Sequence, residues 1–128
     1  MTSEQRTTNS EGGRASGLRQ ELLSVLRGTE TGVTGAVVWF AAGEFDDSDR
    51  YLGPRLLVVL GDDIRSERLT SAVSVRLASP PYVVGVLPPD VARQVESFVG
   101  ANRDVLLRHW DAEIDTRETL DRLERVRP

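Results

Sequence analysis

The sequence contains no cysteine, no lysine and a single histidine, and only 5% of its residues are aromatic. Without cysteine, disulfide bonds, thiolate nucleophiles and cysteine-rich zinc sites are all excluded. No stretch approaches the ~18 apolar residues that a membrane-spanning helix needs. Residues 1–30 also lack the charged-then-apolar pattern of a secretion signal. We therefore expect a cytoplasmic protein that has no membrane partner.

Charge argues against a nucleic-acid partner. The net charge is −4, the isoelectric point is near 5.0, and the arginines are spread along the chain, so that no basic patch is indicated. All 16 basic residues are arginine, a bias typical of GC-rich bacterial genomes. Glycine-rich phosphate loops are also absent, because Gly61-Asp62-Asp63 lacks the later glycines and the lysine of such a loop. We expect an acidic bacterial protein without a cofactor.

The chain length of 128 residues suits one domain. Residues 1–15 are almost entirely polar and cannot bury enough apolar area to offset the entropy of ordering, so they are predicted to be a disordered tail, with an arm that orders on a partner as the alternative. Residues 16–128 are predicted to form a single α+β domain. Its first element is expected to be a helix that begins at Ser16, ends near Gly28 and carries one apolar stripe, formed by Leu18, Leu22, Val25 and Leu26.

Four runs with strand composition follow, at residues 36–42, 56–60, 70–77 and 82–87. The intervals between them are too short for helical crossovers, which predicts a mostly antiparallel sheet of about four strands. The first two runs are apolar on both faces and should be covered on both sides. In the third run valine and leucine alternate with Ser74 and Arg76, which predicts one face open to water.

The C-terminal part changes to a helical period of about 3.6 residues. A long helix is predicted to begin near Pro89, with one stripe formed by Val91, Val95, Phe98, Val99, Asn102, Leu106 and Trp110. A second helix is predicted to begin at Asp115, which has the capping-box spacing to Glu118. Leu120, Leu123 and Val126 would then pack back and complete a helical hairpin.

The acidic loop after the first strand and the single histidine are candidates for a metal site or a catalytic site, and each has a simpler structural explanation. Glu44, Asp46, Asp47 and Asp49 follow the first strand, but they lack the alternating oxygen ligands and the glycine of a calcium loop, so a solvated loop is the preferred interpretation. His109 is the only histidine that a Ser-His-Asp triad could use, yet no nucleophile motif accompanies it. A donor close to the end of the long helix explains it structurally. No catalytic residue and no metal ligand is therefore assigned.

Four residues are candidates for partner binding. Trp39 and Trp110 are expected to be core aromatics, with an interface anchor as the alternative. Asn102 is polar within an apolar stripe, so its amide should hydrogen-bond to backbone from a strand or loop, or else contact a ligand or partner. Arg55 follows the acidic loop and could bind an anionic group.

Several short segments of the C-terminal half occur together in a recognisable order. They are Pro54-Arg55-Leu56, Ser74 to Leu77 with Pro80-Pro81, Phe98-Val99, Asn102-Arg103-Asp104, Leu106-Leu107, Trp110, and Glu113 to Thr116. Over about residues 54–126 this pattern resembles a group of small uncharacterised bacterial proteins. The chain departs from the pattern at Leu57 and Val59, where the group has a more polar strand. The resemblance implies a shared domain and no established function.

The sequence favours a non-enzymatic protein-interaction module, for example a small regulatory or accessory protein, antitoxin-like or dimeric. The reason is that the first two strands are apolar on both faces, and the short helices have too little apolar surface to bury both faces. One alternative is a small metal-dependent hydrolase or nuclease that uses the Asp46 to Asp49 loop with Arg55. Another is a binding site for a small acidic ligand at Arg55 and Arg76.

Overall fold

The computed structural model describes residues 23–42 and 53–127. Within these ranges the strands form one antiparallel sheet in which neighbours in space are neighbours in sequence, in the order β1-β2-β3-β4-β5. The elements are β1 (Leu23–Leu26), α1 (Gly28–Thr31), β2 (Ala36–Ala41), β3 (Arg55–Leu60), a 3₁₀ helix (Ser66–Ser71), β4 (Val73–Arg76), β5 (Tyr82–Val84), α2 (Pro89–Trp110) and α3 (Thr116–Arg122). The α+β class and the antiparallel sheet are confirmed, with one more strand than expected.

One face of the sheet, which we call face A, is the face against which the long helix α2 packs. Successive residues of a strand point to opposite sides of a sheet. The core on face A joins strand residues such as Val38, Phe40 and Val58 to Val95, Phe98 and Val99 of the helix. Helix α2 begins with Pro89 at its first position, as predicted. Proline suits this position because a backbone N–H there has no hydrogen-bond partner within the helix, so its absence costs nothing. The predicted stripe from Val91 to Trp110 is buried.

The opposite face, face B, has a second apolar cluster. Trp39 and Leu57 from the central strands pack there with Leu69 from the 3₁₀ helix and Trp110 from the end of α2. Every residue of β2 is buried, and so is every residue of β3 except Leu60. The prediction that these strands are covered on both sides is confirmed. Since the chain itself supplies this cover, the central strands do not call for a partner.

The predicted N-terminal helix is wrong for the residues that the structure describes. Leu23 to Leu26 form strand β1 and pair with β2, in the register Leu23↔Ala41 and Leu26↔Val38. The spacing of the apolar residues fits a helix, but pairing with β2 satisfies the backbone of Leu23 to Leu26 and leaves Leu26 buried. Gly28 begins the short helix α1 instead of ending a long one. Residues 16–22, like the predicted tail at 1–15, lie outside the described ranges.

The third and fourth strand predictions are also partly wrong. The 3₁₀ helix takes up the start of the third run, and β4 begins only at Val73. Ser74 is buried on face B and not open to water, because its small side chain lies between its cross-strand neighbours Leu57 and Val84. The fourth strand ends at Val84, since Gly85 has a φ of +125° that leaves the extended conformation.

The C-terminal helical hairpin is present. Helix α3 is capped by Asp115, whose Oδ1 accepts a hydrogen bond of 2.8 Å from the backbone N–H of Glu118. Leu123 and Val126 pack against the core on face A, as predicted, whereas Leu120 is exposed. None of the helices in the described ranges has the length and apolar character to cross a membrane.

Candidate functional site

A cleft of about 520 Å³ lies beside α1, at the end of the sheet where β2 begins and β3 ends. Its polar rim contains two arginines, Arg27 and Arg125, and the carboxylate of Asp62. Val33 and Val37, both buried, contribute the apolar part of the lining. The remaining lining residues are small or short, namely Gly28, Thr29, Gly32, Thr34 and Gly35. A concave surface with a few polar groups above an apolar floor is the usual form of a small-molecule site.

The first wall of the cleft is built by α1 and the residue before it. The backbone N–H of Arg27 donates to Oε1 of Glu30 at 2.7 Å, and the carbonyl of Arg27 accepts from the N–H groups of Glu30 and Thr31. Helix α1 ends at Thr31, and the residue that follows it, Gly32, has a φ of +84° that is unfavourable for a residue with a side chain. Hydrogen bonds at both the N–H and the carbonyl of Arg27 therefore hold its backbone.

The second wall is the C-terminal tail after α3, and Asn102 holds it in place. Asn102 lies on α2 and is 1% exposed. Its Nδ2 donates to the carbonyl of Glu124 at 2.9 Å and its Oδ1 accepts from the N–H of Glu124 at 2.7 Å. Two residues further on, the N–H of Val126 donates to the carbonyl of Thr31 at 2.8 Å. Arg125, between these two anchors, is thereby placed on the rim of the cleft.

The charges at this end of the sheet differ in how they are paired. Asp63 forms an ion pair with Arg65, with 2.7 Å between Oδ2 and a guanidinium nitrogen. Hydrogen bonds from the side chain and then the backbone N–H of Arg65 lower the pKa of Asp63 to about 2. In the ranges that the structure describes, Arg27, Arg125 and Asp62 have no ion-pair partner. Their charged groups are therefore available to a ligand in the cleft.

A second exposed feature is the outer edge of the sheet at β5. Among the strands of the described residues, β5 has a neighbour, β4, on one side only. Tyr82 is 61% exposed, Val84 is 40% exposed and Val86, just past the strand, is 86% exposed. The surrounding segment 77–89 contains no charged residue, although 28% of the chain is charged. An uncharged edge with exposed apolar side chains is an unusual surface for this chain.

Three of the four predicted partner-binding residues lie on face B. Trp39 and Trp110 belong to the same apolar cluster there. Arg55 is the cross-strand neighbour of Arg76, and its Nη1 donates to the carbonyl of Gly53 at 3.0 Å. All three side chains are buried. The fourth residue, Asn102, makes the backbone hydrogen bonds that the sequence predicted, and a partner-binding role for the four residues stays a prediction.

The proposed small-acid site at Arg55 and Arg76 does not coincide with the cleft beside α1, since neither residue lines that cleft. The acidic loop with Glu44, Asp46, Asp47 and Asp49 lies outside the described residues. In the parts of the chain at 23–42 and 53–127, no group of three or more acidic, histidine or cysteine side chains is placed to hold a metal ion.

His109 connects three elements of the fold. Its Nδ1 lies 3.3 Å from the carbonyl oxygen of Ala41 in β2, and its Nε2 lies 3.0 Å from Oγ1 of Thr116 in α3. Because a carbonyl can only accept, the proton of the neutral ring belongs on Nδ1. Burial lowers the pKa of His109, although the hydrogen bond to Ala41 and the charge of Asp115 partly oppose this. The ring acts as a structural bridge.

Arg27 and Arg125 were not predictable from the sequence as candidate site residues. They are almost a hundred positions apart, and no motif links them. The one relevant signal was the polar Asn102 inside an apolar stripe, since this residue anchors the tail that carries Arg125. The glycines around the cleft, at positions 28, 32 and 35, were also visible, but their spacing matches no known loop.

The described residues thus define an α+β protein in which an antiparallel five-stranded sheet carries a long helix on one face. In a comparison with known proteins, no family model matches the chain, and no curated protein and no solved structure matches it. The resemblance of residues 54–126 to the group of small bacterial proteins therefore stays a prediction.

Proposed function

We propose that this protein is a non-enzymatic interaction module that associates through the outer edge of β5, and that a second copy of the chain is its first partner. The observation that carries this function is the uncharged, exposed edge formed by Tyr82, Val84 and Val86. A strand at the edge of a sheet presents backbone N–H and C=O groups that an added strand can pair with. Charged side chains are one of the features that prevent pairing at such an edge, and residues 77–89 contain none.

A second copy fits this edge because the strand complements itself. If two β5 strands pair antiparallel about Val83, Tyr82 of one copy lies across from Val84 of the other. Both side chains lie on face B, since each alternates with Val83 along the strand. A pair of an aromatic and a β-branched side chain in directly opposed positions stabilises a sheet by ~0.2–1 kcal/mol. No like charges meet across the two-fold axis, and exposed apolar area is removed from water.

The short strand limits the strength of the association. β5 has three residues, and prolines stand on both sides of the segment, at Pro80-Pro81 and Pro88-Pro89. Proline cannot donate to a sheet ladder, so pairing is restricted to the residues between them. We therefore expect a reversible dimer, and the same edge could accept an extended segment of a regulatory partner. A bacterial, cytoplasmic setting is part of this proposal, and the arginine-only basic composition supports the bacterial source.

Light scattering coupled to size-exclusion chromatography tests the proposal on the full chain across micromolar to millimolar concentrations. We expect a mass that rises toward the dimer with concentration. The variant Val84→Lys should remain monomeric, because pairing would desolvate the added charge. Leu120→Lys is the matched control, since Leu120 is 46% exposed on α3 and Val84 is 40% exposed on β5. Melting temperatures close to that of the unchanged chain establish that both variants fold.

Two results would contradict the proposal. The first is a protein that is monomeric at every concentration. The second is a dimer that Leu120→Lys disrupts as much as Val84→Lys does, because this would place the interface on the helices.

A further inference from the structure

We propose that the cleft between α1 and the C-terminal tail binds a small organic anion that also carries hydroxyl groups, such as a sugar phosphate or a sugar acid. This site is independent of the β5 edge, since no residue of 82–86 lines the cleft. Its volume of about 520 Å³ falls within the range of ~300–1,000 Å³ that is usual for small-molecule sites.

The two arginines select for an anion. In the described ranges the guanidinium groups of Arg27 and Arg125 have no ion-pair partner, whereas Arg65 and Arg68 share Asp63, and Arg108 and Arg122 pair along their helices. A guanidinium presents several N–H donors in a planar fork that matches the oxygens of a phosphate or a carboxylate. With two arginines and one aspartate, the rim carries a net positive charge in a protein whose net charge is −4.

Asp62 and the threonines select for hydroxyl groups. The ionised carboxylate of Asp62 can only accept hydrogen bonds, so it favours a ligand that also donates. A ligand ammonium group would be repelled by the two guanidinium groups, so that a neutral donor such as a hydroxyl group suits this position. Thr29 and Thr34 add hydroxyl groups that donate or accept. A ligand with an oxyanion at one end and hydroxyl groups at the other would satisfy the whole rim.

The fold holds this rim in place before any ligand arrives. Hydrogen bonds at the N–H and the carbonyl of Arg27 fix its backbone. Arg125 lies between Glu124, which Asn102 holds on both sides of its backbone, and Val126, which Thr31 holds. A residue after the last helix would otherwise move freely, and ordering it on binding would reduce the affinity. Asn102 is thus a positioning residue for this site, and it acts through Arg125.

Binding is tested with the full chain by isothermal titration calorimetry and by amide chemical-shift mapping. The probes are ribose 5-phosphate, glucuronate, inorganic phosphate and uncharged ribose. We expect shift changes at the amides of Gly28, Gly32 and Gly35, and tighter binding of ribose 5-phosphate or glucuronate than of phosphate or ribose. Whichever of the two sugar anions binds more tightly identifies a phosphate or a carboxylate as the preferred group.

Single substitutions at the rim distinguish specific binding in the cleft from non-specific attraction of an anion to surface arginines. Arg27→Gln and Arg125→Gln should each weaken binding of the preferred sugar anion by at least about tenfold, because each removes charge-assisted hydrogen bonds. The matched control is Arg127→Gln, two residues further along the same tail and outside the lining. Asp62→Asn should bring the affinity for the sugar anion closer to the affinity for inorganic phosphate, because the carboxylate of Asp62 is expected to contact the sugar hydroxyl groups.

Asn102→Ala tests the positioning role. It should weaken binding and also make the effect of Arg125→Gln smaller, while the effect of Arg27→Gln persists. The Asn102→Ala variant must have a melting temperature above the temperature of the binding assay, so that it is folded when binding is measured. Arg125→Gln tests the contribution of the same arginine without a change to a buried group. The proposal is overturned if none of the probes binds, if the shifted amides lie elsewhere, or if Arg127→Gln weakens binding as much as the rim variants do.

Discussion

The side chain of Asn102 forms hydrogen bonds to both polar backbone groups of Glu124: Nδ2 donates to the carbonyl, and Oδ1 accepts from the N–H. Asn102 lies in the middle of α2, and Glu124 lies in the tail after α3, so this pair of bonds fixes the end of the chain to the core helix. The Nδ2 group also donates to the carbonyl of Phe98 at 2.9 Å. A buried amide with its donor and its acceptor both satisfied is stabilising, and the same groups left without partners would be costly.

Replacing Asn102 by alanine should therefore reduce the free energy of unfolding by ~1–3 kcal/mol, because the polar backbone groups of Glu124 lose their buried partner. Urea denaturation at neutral pH measures this. Gln94→Ala is the amide control: Oε1 of Gln94 accepts from the N–H of Thr34 in an exposed position. Its loss should cost less than ~1 kcal/mol, since water replaces the bond. Equal effects of the two variants would show that the tail is not held by Asn102.

The pKa of the single histidine predicts how stability depends on pH. The folded pKa of His109 lies below the ordinary value of 6.5, so the unfolded chain takes up a proton more readily than the folded one. The free energy of unfolding should therefore fall as the pH drops below about 6.5, and level off below the folded pKa. Urea denaturation between about pH 8 and pH 5.5 measures this trend.

The matched variant for this trend is His109→Gln, which keeps a polar side chain and cannot titrate. Its free energy of unfolding should vary less over the same pH range, even if the variant is less stable throughout. A slope as steep as that of the unchanged chain would assign the trend to other groups.

Gly32 and Gly35 have the same φ of +84° but different surroundings. A Cβ atom at Gly32 would overlap the carbonyl oxygen of Val126, whereas at Gly35 it would meet nothing within 4 Å. Alanine at either position carries the strain of a positive φ, ~1–3 kcal/mol. Gly32→Ala should destabilise more than Gly35→Ala because it also displaces the tail. Hydrogen exchange at the amide of Val126, which donates to Thr31, should rise only in Gly32→Ala, and an unchanged rate would disprove this contact.

Asp63 offers a prediction that does not involve stability. The pKa of its carboxyl is about 2, and the hydrogen bond from the side chain of Arg65 is the main cause. Arg65→Gln should raise this pKa toward its ordinary value of 3.8, although the backbone N–H of residue 65 continues to lower it. Arg68→Gln is the control, since its Nε lies 3.8 Å from Asp63 and it should have a smaller effect. A carbon-13 NMR titration of the carboxyl group measures both.

The regular patterns were predictable where local and tertiary preferences agree. Helix α2 was expected from Pro89 with the stripe that includes Val95 and Phe98, because a long apolar stripe with a proline start fits one structure only. Strand β2 was expected because its six apolar residues are β-branched, aromatic or small. Leu23 to Leu26 were assigned to a helix, because a short segment with helical spacing does not reveal that a neighbouring strand is available to pair with it.

By itself, the sequence determined the class of the fold, the two-sided burial of the central strands, the long C-terminal helix and the need of Asn102 for buried partners. Only the tertiary structure decided which groups meet Asn102, which strand lies at the edge with Tyr82 exposed, and that Arg27 and Arg125 share one cleft. The physical reason is the distance along the sequence over which each kind of interaction acts. Periodicity and turn chemistry act between residues a few positions apart, whereas the cleft joins α1 to the far end of the chain through packing that no local pattern encodes.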